Sequence, residues 1–198
     1  MRLILALAMA VGIAGCATRT QVLKVEPGEQ VVGDRLAIKV DGPWNHISTT
    51  LLAPAQAWTM EGFPIDQLLI YSGVKDGEPV HPIASGTGGK SFNFRSNMQP
   101  DEIVAMFEGA LTRDGSTFKL AKLEPSGFGG AKGLRFEYAI VRKIDNVQLS
   151  GVGFAAVDSG ELFAMLYSAP RITFFPRHQQ RVEEIAKTAK VRARPAGS

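Results

Sequence analysis

Cysteine is nearly absent from this chain. Cys16 is the only one, so the protein has no internal disulfide, and packing and hydrogen bonding must hold the folded part together. Charge of one sign is also scarce. The 22 basic and 19 acidic residues leave a net charge of +3, too weak a field to argue for nucleic acid as a partner. No apolar run reaches the roughly 20 residues that a membrane-spanning helix needs. Histidine is limited to His46, His81 and His178, far apart, with no His-x-x-x-His pair and no second cysteine to complete a metal site. No Gly-x-Ser-x-Gly elbow occurs, so a hydrolase of that type has no nucleophile here. From these absences we expect no catalytic residue, no metal and no cofactor.

Two glycine-rich stretches imitate nucleotide motifs without their context. Ala84-Ser85-Gly86-Thr87-Gly88-Gly89-Lys90-Ser91 satisfies a relaxed phosphate-loop pattern, but Phe92-Asn93-Phe94-Arg95 then alternates like a strand. A phosphate loop needs a helix there, so that its N-terminal amides face the phosphates. Gly151-Val152-Gly153-Phe154-Ala155-Ala156 fits a loose dinucleotide pattern but runs on as strand, with no helix and no acidic residue about 20 positions later. The better reading is a strand whose two glycines share a face and let an aromatic ring or helix approach the backbone. No nucleotide partner is expected.

The strongest signal present is at the start. Arg2 precedes an uncharged apolar stretch, Leu3 to Cys16, that ends in Ile13-Ala14-Gly15-Cys16, which fits the charged and apolar regions of an export signal. Those last four residues resemble the lipobox of bacterial lipoproteins. The resemblance implies that residues 1–15 are a signal peptide and that Cys16 becomes the first mature residue, with a diacylglyceryl group on its thiol and an acyl chain on its amino group. One chain holds a protein only marginally, whereas two or three hold it stably. Ala17 rather than Asp implies, by the sorting rule of enteric-type lipoproteins, an outer-membrane location facing the periplasm.

The rest reads as one domain, with 45% apolar and 21% charged residues, ordinary for a globular protein. Residues 16–34 are polar, contain Pro27-Gly28 and keep no period, so they read as the lipidated N-terminus and tether. Leu36, Ile38 and Val40 alternate with Arg35, Ala37 and Lys39, the period of a half-buried strand. Strands are also expected around Trp44 to Thr49, Ala57 to Met60, Leu68 to Ser72, and Phe92 to Phe94. Pro100, Asp101 and Glu102 open a helix whose Ile103, Phe107, Ala110 and Leu111 share one face, and Asp114-Gly115 stops it. Gly109 inside it costs about 1 kcal/mol relative to alanine, so packing must hold this helix. Strands follow at Phe118 and Leu120, Leu134 to Ile140, Val147 to Val157, and Leu162 to Tyr167, the last three an antiparallel meander. A final helix runs from about Pro176 to Ala189 with Val182, Ile185, Ala186 and Ala189 on one face. Lys187, Lys190, Arg192 and Arg194 suit its C-terminal dipole, and a basic flexible tail at 192–198 ends the chain. An alternative role for these cations is contact with anionic lipid or another envelope polyanion.

This order of elements gives an α+β architecture: an antiparallel sheet of about six to eight strands packed with two main amphipathic helices. With the helix opening Met98-Gln99-Pro100-Asp101-Glu102-Ile103 and the closing Val182 to Ala189 helix, residues 35–191 resemble the PsbP-like fold, known from an extrinsic photosystem subunit, a Ran-binding import factor and bacterial lipoproteins. A lipocalin-like barrel is the alternative. The fold carries no activity across. The expected function is a lipid-anchored envelope lipoprotein working as a non-catalytic accessory or protein-interaction domain, with the membrane as one partner through Cys16 and another envelope protein as a second. The alternative is a periplasmic small-ligand-binding protein or hydrolase whose site gathers residues such as His46, His81 and Tyr71.

Overall fold

The computed structural model describes residues 20–82 and 91–194. Eleven strands and two α-helices occur among them: β1 (Gln21–Val25), β2 (Gly28–Val32), β3 (Leu36–Val40), β4 (Trp44–Ser48), β5 (Gln56–Thr59), β6 (Gln67–Val74), α1 (Pro100–Leu111), β7 (Thr117–Phe128), β8 (Ala131–Val141), β9 (Gln148–Asp158), β10 (Glu161–Pro170), α2 (Phe174–Thr188) and β11 (Lys190–Val191). The main sheet has eight strands in the order β1-β4-β5-β6-β10-β9-β8-β7, and a smaller one has the order β11-β3-β2. All pairings are antiparallel. Because β1 and β7 end the large sheet without meeting, the lipocalin-like barrel is excluded. None of the described helices is long and apolar enough to cross a membrane.

Strand pleating sends alternate residues to opposite faces, and each face has its own core. One buries Leu69, Tyr71, Leu134, Phe136 and Tyr138 beneath Ile103, Val104 and Phe107 of α1. The other buries Trp44, Trp58, Phe154, Phe163 and Tyr167 beneath Val182, Ile185 and Ala186 of α2, together with Leu36 and Ile38 of the small sheet. Each fully buried large apolar side chain contributes about 1.5–3 kcal/mol, which accounts for two helices that would be marginal alone. At the start of α1, Pro100 takes the first position and the Glu102 carboxylate accepts the Gln99 N–H at 2.7 Å. The helix ends at Leu111, with Gly115 at φ 87° beyond.

The expected glycine face in β9 is present. Gly151 and Gly153 stand directly opposite Tyr138 and Phe136 of β8, whose rings occupy the space a side chain at either glycine would take. A Cβ on either glycine would come within 2.2 Å of the facing ring.

Several expectations are corrected. Within the stretch read as a tether, β1 pairs with β4 and β2 with β3, so residues from Gln21 on already belong to the domain's sheets, ahead of the expected start at 35. These strands escaped the periodicity test because β1 is an edge: Val22 and Leu23 are exposed and only Val25 is buried. At the other end, 192–194 is not a free tail. The Arg192 N–H donates to the Arg35 carbonyl at 2.7 Å, and Arg194 pairs with Glu161. Phe92 and Phe94 form no strand, only a bridge between Pro79 and Asn93. β7 runs to Phe128 through Pro125, which an edge strand tolerates.

Candidate functional site

Pleating of β6 places Leu69 and Tyr71 on the α1 face of the sheet, below the last turn of the helix. There Ala110 and Leu111 approach them, Leu52 closes one side, and Gln67, His81, Arg113 and Asp114 form the rim of a pocket of about 420 Å³. Tyr71 packs against Phe107 with ring centroids 5.3 Å apart and is nearly fully buried. Burial pushes its phenol well above the ordinary value, so it stays protonated and serves as wall rather than base.

The rim carries the polarity. A guanidinium N–H of Arg113 contacts His81 Nδ1. Arginine can only donate, so this contact uses the Nδ1 lone pair, whereas the Pro82 carbonyl oxygen, 3.1 Å from the same nitrogen, would accept a proton from it. Partial burial lowers the affinity of this imidazole for a second proton, the Pro82 carbonyl opposes that shift, and the neighbouring Arg113 charge adds to it. Asp114 forms no ion pair with Arg113; its carboxylate accepts from the Ser116 N–H at 2.9 Å and the Ser116 hydroxyl at 2.8 Å. Among the described residues the lining includes no serine, threonine or cysteine.

A second cleft, of about 570 Å³, lies at the opposite end of the sheet among Arg35, Lys75, Asp158, Glu161, Arg192 and Arg194. At its base Glu161, only 6% exposed, pairs with both Arg35 and Arg194. Arg35 also donates from Nε to the Arg192 carbonyl at 2.8 Å and lies over the Phe163 ring. This cleft is a clamp that fastens β3, β10 and the last described residues together.

Of the side chains considered for a pocket, the structure brings Tyr71 and His81 together and leaves His46 apart. His46 pairs in register with Trp58, on the sheet face opposite Tyr71, and burial lowers its pKa. Trp44 and Trp58 are core residues with ring centroids 6.4 Å apart. No cluster of three metal-ligating side chains occurs among the described residues. Gly151 to Ala156 lies within β9. Cys16 and the stretch 84–90 lie outside the described residues. Sequence reasoning missed Leu52, Gln67 and Arg113, which carry no motif and meet only through the fold.

His178 is buried on α2 and ties that helix to the turn after β5. Its Nε2 lies 2.7 Å from the Glu61 carboxylate, which also accepts from Arg177 at 3.1 Å. The His178 hydrogen bond, supported by Arg177, holds the Glu61 carboxyl below its ordinary 4.5 despite some desolvation. A depressed carboxyl contributes stability that is present above the unfolded-state value and is lost as pH falls through the folded one. Urea midpoints of the wild type and Glu61→Gln should therefore differ most near neutral pH and converge as pH drops from about 5 to about 2. A difference that stays constant over that range would refute the linkage.

Comparison with known proteins bears on the fold. No family model matches the chain, and no curated protein does. Among solved structures, the solution structure of cyanobacterial PsbP (CyanoP) from Synechocystis sp. PCC 6803 superposes with a TM-score of 0.57 at 12% identity, covering 93% of this chain and 98% of that one. LpqN of Mycobacterium tuberculosis, described as involved in cell envelope biogenesis, aligns at a TM-score of 0.40 and 9% identity, over 88% of this chain and 92% of that one. At such identities the likeness concerns the fold alone, which is PsbP-like.

Proposed function

We propose that this chain, a PsbP-like fold behind a lipobox, is a lipoprotein of the bacterial envelope that is anchored through Cys16 and works by binding rather than catalysis. The carrying observation is the Ile13-Ala14-Gly15-Cys16 sequence set only a few residues before Gln21, where β1 already belongs to the sheet. An acylated Cys16 would hold the domain on a short leash, close to the bilayer. Ala17 favours the outer membrane. For an accessory role, the supporting feature is the end of the sheet away from β1's entry. Ile144 and Ile172 are 86% and 84% exposed there, beside a groove of about 330 Å³ formed by Val147, Pro170, Arg171 and Phe174. Exposed apolar side chains flanked by Lys143 and Arg171 suit contact with another envelope protein.

Cys16→Ser tests the anchor. The wild type is expected in the membrane pellet with acyl mass on its N-terminal peptide, and the variant is expected to lose that mass and leave the acylated membrane fraction. An unmodified Cys16 in the wild type would sink the reading. A second reading, a small-ligand-binding protein, is favoured by the pocket below α1, where His81 and Tyr71 meet.

A further inference from the structure

We infer that the pocket below α1 takes a single-chain anionic amphiphile, its hydrocarbon chain lying against Leu52, Leu69 and Leu111 and its head group held by Arg113. This rests on the ligand-binding reading and specifies the ligand class. A volume of about 420 Å³ with apolar walls falls within the roughly 300–1,000 Å³ of small-molecule sites. The walls ask for an apolar body, and among the described residues Arg113 is the one cation on the rim, which it shares with the Asp114 carboxylate.

The state of that cation carries the argument. Arg35, Arg135, Arg142 and Arg177 each meet a carboxylate. Arg113 meets an imidazole instead, and among the described residues no carboxylate lies within ion-pair distance of it. Asp114, the acidic side chain on the rim, is engaged by Ser116. His81 therefore orients the guanidinium without cancelling its charge. The planar fork that remains matches a carboxylate or phosphate bidentately. A fatty acid and a lysophospholipid share this chemistry, an anion at the end of one chain.

The test uses the full chain carrying Cys16→Ser, free of detergent, titrated calorimetrically below micellar concentration. The probes are dodecanoate, lysophosphatidylglycerol, dodecanol and dodecyltrimethylammonium. Dodecanoate or lysophosphatidylglycerol should bind, and the tighter of the two identifies the source. Shortening the fatty acid should weaken binding by roughly fourfold for each buried methylene lost. Arg113 is exposed, so its substitution should leave the fold intact. Arg113→Gln should weaken dodecanoate about ten- to a hundredfold while leaving dodecanol unchanged, and Arg113→Lys should restore part of the loss. Equal binding of dodecanol and dodecanoate, with no effect of Arg113→Gln, would overturn the head-group assignment and leave the binding reading standing. No binding of any probe would overturn both.

Discussion

Gly153→Ala is expected to destabilise the protein by about 3 kcal/mol, at the upper end of the usual cost of overpacking a core. The ordinary rule has the opposite sign, since a glycine inside a strand costs backbone entropy that alanine recovers. Here the space for a methyl group is already filled. A Cβ at position 153 would stand 2.2 Å from Phe136 Cζ and 2.4 Å from Cε1. Phe136 cannot step aside, because it is fully buried, stacked on Phe107 at 6.4 Å and tilted against Tyr138 at 5.7 Å. For a domain of this size the loss corresponds to a fall in Tm of about 6–12 °C. The double variant Gly153→Ala/Phe136→Leu should be more stable than the sum of its parts, because the smaller side chain vacates the contested volume. An unchanged or raised Tm for Gly153→Ala would show that the ring does not occupy this place.

Glu161→Ala should cost a comparable amount, about 3–5 kcal/mol, which is typical when one member of a buried ion pair is removed. The cost comes from what is left behind. The Arg35 side chain is 12% exposed and would keep its charge with no carboxylate beside it, while Arg194 would lose its hold on the body. A lowered urea midpoint measures the first effect, and faster tryptic cleavage after Arg192 reports the second. Arg194→Ala should cost far less, within the roughly 0–1 kcal/mol of surface pairs, because its side chain is 49% exposed. If Glu161→Ala cost no more than Arg194→Ala, the clamp would be an ordinary surface contact.

The elements that sequence alone made legible are those whose environment is strongly one-sided. The α1 boundaries follow from Pro100 and the acidic first turn at one end and Asp114-Gly115 at the other, and the helix observed is Pro100–Leu111. The meander of β8, β9 and β10 follows from alternating burial and short turns. The glycine pair of β9 was readable as a place of close approach, although nothing along the chain named Phe136 and Tyr138 as the rings. Gly109 is similar: its cost to α1 could be stated from sequence, but the reason for it lies in Phe92, whose ring fills the space a Cβ would take. The pocket was legible only in part, since Tyr71 and His81 were singled out and Arg113 was not.

What the sequence by itself determined is the expected address at Cys16, the α+β class, the two amphipathic helices and the absence of the common nucleotide, metal and hydrolase motifs. Each is written in neighbouring residues, through helix and strand periods, caps or spacing. Tertiary structure alone decided that β1 and β2 join the sheets, that the residues after α2 are clamped by Glu161, and that Arg113 and His81 share a rim with Tyr71. Edge strands reveal little period because neither face is fully covered. Contacts across dozens of residues have no sequence period at all, because their partners are chosen by the order in which strands pair.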